Sequence, residues 1–156
     1  MTDDLKYLER CVELAAEALA AGDEPFGSVL VAADGTVLAE DRNRVSGGDQ
    51  TQHPEFTLAR WAAQNMAPAD RAAATVYTSG EHCPMCSAAH AWVGLGRIAY
   101  VASTEQLIGW LTDLGVGPGP VLPLSINQVA PNVPVSGPFP ELSERVRELH
   151  RQLHQR

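Results

Sequence analysis

His53-Pro54-Glu55 and, 30 residues after the histidine, Cys83-Pro84-Met85-Cys86 are the residues of this chain best suited to chemistry. One imidazole and two thiols with no fourth donor suit a zinc ion that keeps a position open for water. A carboxylate two residues beyond the first donor is placed to move that water's proton. The chemistry implied is hydrolysis at a bound metal. Each half alone says less. A Cys-x-x-Cys between a strand and a helix is also the pattern of a thioredoxin-type redox pair, and it can equally serve a purely structural zinc. Glu55 argues for hydrolysis, because neither alternative uses a proton shuttle.

Both halves must be held by regular elements. Leu5, Leu8, Val12, Ala15 and Leu19 are spaced 3-4-3-4, which predicts a helix ending near Gly22, with Cys11 beside the stripe as a packed free thiol. Apolar runs at 26–31 and 36–39 around Asp34-Gly35 predict a β-hairpin, and 43–52 a polar loop. A second helix opens at His53 and runs to about Met66, with Pro54 at the position where a missing N–H costs nothing. Pro68-Ala69-Asp70 predicts a break, 75–78 a strand, 79–82 a turn, and a third helix runs from about Cys83 to Gly94 or Gly96. Residues 97–101 read as a strand and 104–114 as a helix; strand, helix, strand without a hairpin turn implies parallel pairing. Cys83 and Cys86 then lie on one side of a first helical turn, where the positive end of the dipole favours thiolate.

Residues 115–140 hold seven of the chain's eleven prolines and predict irregular surface chain, with an edge strand at Val121-Leu122-Pro123-Leu124. Leu142, Val146, Leu149 and Leu153 make a closing amphipathic helix. No repeat or boundary divides the chain. Residues 1–156 read as one α/β domain, a mixed central sheet between two layers of helices.

A chain of 156 residues that is 45% hydrophobic can build a core without a structural metal. It has no apolar run long enough for a membrane span and no export signal, and three cysteines make no disulfide framework, so a reducing, cytoplasmic setting is expected. The net charge is −8 and Lys6 is the only lysine. In the last helix Arg145, Arg147, Arg151 and Arg156 are offset by Glu141, Glu144 and Glu148. That balance disfavours a nucleic-acid partner.

His-x-Glu followed by Cys-x-x-Cys resembles the cytidine deaminase superfamily. The resemblance covers residues 1 to about 105. Pro25-Phe26-Gly27 with its hairpin, Thr78-Ser79 before the cysteines, and Trp92 six residues after Cys86 are most similar to the nucleobase-deaminase branch, guanine deaminase above all. The resemblance implies a three-layer α/β/α fold, zinc on His53, Cys83 and Cys86, and Glu55 as the proton shuttle of a hydrolytic deamination that releases ammonia. It implies a small heterocyclic substrate: guanine first, then cytosine or an s-triazine, with tRNA adenosine as the alternative. It assigns Asn43 to the base by hydrogen bond, Phe26 and Trp92 to the walls of its slot, and the enzyme to a homodimer. Two residues depart from the pattern. His82 stands where proline is usual before the first cysteine, either lining the pocket or sitting on the turn. Pro54 stands where a small residue normally offers its N–H to the base, and proline has none.

Overall fold

The computed structural model describes residues 2–155; Met1 and Arg156, the latter counted above in the charge of the last helix, lie outside them. Helix α1 (Thr2–Ala20) buries Tyr7, Leu8, Cys11, Val12, Leu14, Ala15, Ala18 and Leu19, the predicted stripe and its flanks, with Cys11 a packed thiol. The hairpin forms as β1 (Gly27–Val31) and β2 (Val37–Arg42), turning at Gly35 in a left-handed conformation (φ 90°) that glycine adopts without strain. Gly27 is needed for closeness: a Cβ there would stand 2.5 Å from the Cys11 carbonyl oxygen and from Leu14 Cβ.

Then follow α2 (Pro54–Asn65), α3 (Pro68–Ala73), β3 (Thr75–Gly80), α4 (Pro84–Trp92), β4 (Arg97–Ala102), α5 (Thr104–Asp113), α6 (Ile126–Val129), β5 (Val135–Ser136) and α7 (Pro140–His154). The sheet runs β2-β1-β3-β4-β5, antiparallel through β3 and parallel from β3 to β5, so it is mixed. Alternation along the strands sorts the core. Val29, Val31, Tyr77, Ala99 and Val101 pack with α1 and α7, while Leu30 and Val76 pack with Leu58, Ala59 and Ala62 of α2.

Three local expectations change. Pro68-Ala69-Asp70 starts the short helix α3 instead of only breaking the chain, with Pro68 at a first-turn position. The third helix stops at Trp92, ahead of Gly94. The edge strand is Val135–Ser136 and not 121–124, where Val121 and Leu122 are exposed. Pro123 removes a donor that a strand at 121–124 would need.

Two side chains fix what the sheet alone does not. Arg71 of α3 donates to the carbonyls of Ala62 and Ala63 at the end of α2 (3.1 and 2.9 Å) and to that of Val93 after α4 (3.4 Å), joining the C-terminal ends of the two helices. Glu81, just past β3, accepts the N–H of Thr104 (2.9 Å) and the N–H of Ile126 (2.8 Å), anchoring the starts of α5 and α6. No helix among the described residues is long and apolar enough to cross a membrane.

Candidate metal centre

His53 and Cys83 are the N-cap residues of α2 and α4, and in each helix a proline follows at the first position. Cys86 is one turn into α4. His53 Nδ1 lies 3.5 Å from Cys83 Sγ and 3.6 Å from Cys86 Sγ, and the three donor atoms lie within 4.8 Å of one another. A tetrahedral zinc with ordinary Zn–N and Zn–S bonds holds such a pair about 3.5 Å apart. The spacing fits the ion.

The electrostatics fit it too. The Cys86 thiol, and after it the His53 ring, hydrogen-bond to Cys83 and draw its thiol well below the ordinary range. Cys86 is pushed up by that same bond and by burial. His53 is raised chiefly by its contact with Cys83. Protons held between the donors thus compensate one thiolate; a divalent cation in their place allows both sulfurs to ionise.

Glu55, two residues beyond His53, is buried at 6% exposure, and burial raises its carboxyl above the ordinary range. Its Oε1 accepts a hydrogen bond from Ser28 Oγ (3.3 Å). Pro54 is buried beside it at the first helical position.

The other predicted residues fall in different places. Asn43 is buried close by, its Oδ1 accepting the Val45 N–H (3.1 Å) and its Nδ2 donating to Glu24 Oε1 at 3.4 Å. It closes its loop, with one long contact to spare. Phe26 is half-buried, its ring 3.1 Å from where a Cβ on Gly80 would stand and 5.0 Å, edge to face, from His150 of α7. Trp92 is 88% exposed at the last position of α4. At about 1.5 Å per residue that is roughly 13 Å along the helix from Cys83, and it is not brought together with the donors in this chain. His82 lies on the turn between β3 and α4, and it is buried there. It has no exposed surface, its ring meets His90 edge to face at 5.4 Å, and neither ring nitrogen has a hydrogen-bond partner.

Some neighbours were not singled out from the sequence. Glu24 raises His53 electrostatically, Ser28 reaches Glu55, and His150 brings the last helix to Phe26. Only Glu24 had a signal, an acid directly before Pro25-Phe26-Gly27.

Residues 1–102 match the family model for the cytidine and deoxycytidylate deaminase zinc-binding region. The chain is 35% identical over 124 residues to a probable cytosine deaminase of Schizosaccharomyces pombe, covering 80% of this chain and 73% of that one. It is 39% identical over 98 residues to the guanine deaminase of Bacillus subtilis, covering 62% of each, so this match spans less than two thirds of that relative. The structure superposes on guanine deaminase from Nitrosomonas europaea with a TM-score of 0.71 at 20% identity, covering 96% of this chain and 84% of that one, a likeness of fold. With its matched motif and its converging donors, the chain belongs to the zinc-binding cytidine and deoxycytidylate deaminase family.

Proposed function

We propose that this protein deaminates a free nucleobase or a related amino-heterocycle by hydrolysis, guanine first, then cytosine or an s-triazine. One observation carries the reading: the buried carboxyl of Glu55 shares a helix N-terminus with His53, whose Nδ1 faces two cysteine sulfurs at 3.5 and 3.6 Å. His53, Cys83 and Cys86 would hold the ion, and zinc bound there would supply a water acidified toward neutral pH. Glu55 would move two protons: one from the water to the ring nitrogen beside the reacting carbon, and a second from the hydroxyl that carbon has gained to the departing amine, which leaves as ammonia while the carbonyl remains. Burial suits it to this work, because a carboxyl raised toward neutrality both accepts and returns a proton. Phe26 supplies one apolar wall for a flat ring. Asn43 reaches a base by exchanging its 3.4 Å contact with Glu24 for one to the ligand. The net charge of −8 and the single lysine favour a small substrate over tRNA.

The test is ammonia release across a panel of bases, nucleosides, s-triazines and tRNA, with metal analysis alongside. Turnover of a free base with little salt dependence is expected, together with about one zinc per chain that is lost in Cys83→Ser. Inosine formation in tRNA with affinity falling steeply as salt rises would transfer the assignment to tRNA editing. A native Cys83–Cys86 disulfide with no zinc would restore the redox reading.

A further inference from the structure

Strand β1 reads Gly-Ser-Val-Leu-Val and is buried at every position, yet it carries one polar side chain, Ser28. Ser28 stands directly opposite Thr78 in the antiparallel register of β1 and β3. Their hydroxyls are 2.8 Å apart, Ser28 Oγ is 3.3 Å from Glu55 Oε1, and Thr78 Oγ1 donates to the Gly80 carbonyl at 3.0 Å. Neither residue has exposed surface, so these bonds are made within the protein.

A polar pair of this kind costs free energy to bury unless each hydroxyl is bonded. Thr78 already has the Gly80 carbonyl and needs nothing from Ser28. An alanine and a valine would fill almost the same space without the desolvation cost. What an apolar pair would not supply is a partner for the carboxyl of Glu55. Ser28 Oγ has one proton and two acceptors in reach, Glu55 Oε1 at 3.3 Å and Thr78 Oγ1 at 2.8 Å; with that proton directed to Oε1, the Thr78 hydroxyl turns from the Gly80 carbonyl to donate to Ser28. Taking the role proposed above for Glu55, we infer that Ser28, braced by Thr78, is a positioning residue: it holds Oε1 of Glu55 and leaves the other carboxylate oxygen to the reaction.

The proposal separates from a role in core packing alone. Replacing both hydroxyls together removes the desolvation cost of the pair along with its bond to the Gly80 carbonyl, so stability changes by little more than that one bond while the carboxyl loses its support. In S28A/T78V, the melting temperature, the zinc content and KM for the best base of the panel are expected to stay near those of wild type. The value of kcat is expected to fall about ten- to hundredfold. T78S should recover most of what T78V alone loses. A crystal structure of the double variant should show the Glu55 carboxyl displaced or in a second rotamer. Retention of kcat within threefold, a loss that appears in KM, or a Glu55 carboxyl in its original place would overturn the proposal. If wild-type protein turns over none of the panel, the assigned function fails. The crystallographic arm still decides this point, since a displaced carboxyl supports the positioning and an unmoved one rejects it.

Discussion

The two faces of the central sheet are built from the same strands and put to different uses. Toward α1 and α7, β1 and β3 present Val29, Val31 and Tyr77, which meet Leu8, Val12, Leu142 and Val146 in an apolar layer. Its polar tie lies at the edge, where Arg97 holds Asp4 (2.8 and 3.0 Å) and draws that carboxyl down to about 2. Toward α2 and α4 the middle is also apolar, through Leu30, Val76, Leu58 and Ala62. At the end where those helices begin, the filling becomes Ser28, Thr78, Glu55 and His82, all buried. Reactive groups are thus concentrated at one end of one face, and the opposite face supplies cohesion that tolerates their desolvation. The lesson is a division of labour between the two sides of each strand.

Removing the proton carrier tests the reactive face hardest. Glu55→Gln should lower kcat by about 10²–10⁴-fold while zinc content and melting temperature hold; steady-state kinetics with metal analysis checks this, and activity within tenfold of wild type would refute it. The mirror experiment is Leu8→Ala, which empties a fully buried site on the opposite face. It should cost ~2–5 kcal/mol in urea unfolding with kcat of the folded enzyme unchanged. A fall in kcat at constant folded fraction would break the division.

His150 of α7 packs against Phe26 and Trp110, and burial pulls it down to about 4 from 6.5. The folded protein holds it neutral while the unfolded chain takes up a proton, so stability is full above pH 6.5 and declines as pH falls toward 4. The decline reaches at most ~3 kcal/mol. Urea unfolding of wild type and His150→Phe at pH 7 and pH 5 measures it, and equal pH slopes would contradict the assignment. Pro54→Ala should have the smallest effect. Restoring an N–H at the start of α2 should raise kcat/KM up to about tenfold, ~0.5–1.5 kcal/mol, for bases with a carbonyl acceptor at that edge. A uniform loss across all bases would instead show that Pro54 serves to aim Glu55.

The metal centre was legible because each ligand sits where a loop gives way to a helix, and that boundary is written in neighbouring residues. The parallel pairing of β3 and β4 and the stripe of α1 were legible from periodicity. Ser28 was not: a lone serine within Phe-Gly-Ser-Val-Leu-Val breaks no pattern, and its partners lie 50 and 27 residues away. His82 lies on the turn before α4, and what nothing local says is that it folds back, fully buried, beside the second turn of that helix. In the proline-rich stretch, pairing depends on which backbone N–H groups survive near an open strand edge. That is a tertiary matter, and it moved the edge strand from 121–124 to 135–136.

Arg71 has a consequence for how the ion comes and goes. The helices that present His53 and the cysteines are fastened at their opposite ends by one guanidinium bound to three carbonyls. Their separation is therefore set by a part of the chain the metal never touches. Chelation should empty this centre without melting the protein, unlike a zinc finger, whose ion is its core. Reloading is then ordinary ligand association: its rate scales with free zinc, and the melting temperature rises only by the saturation term of that binding.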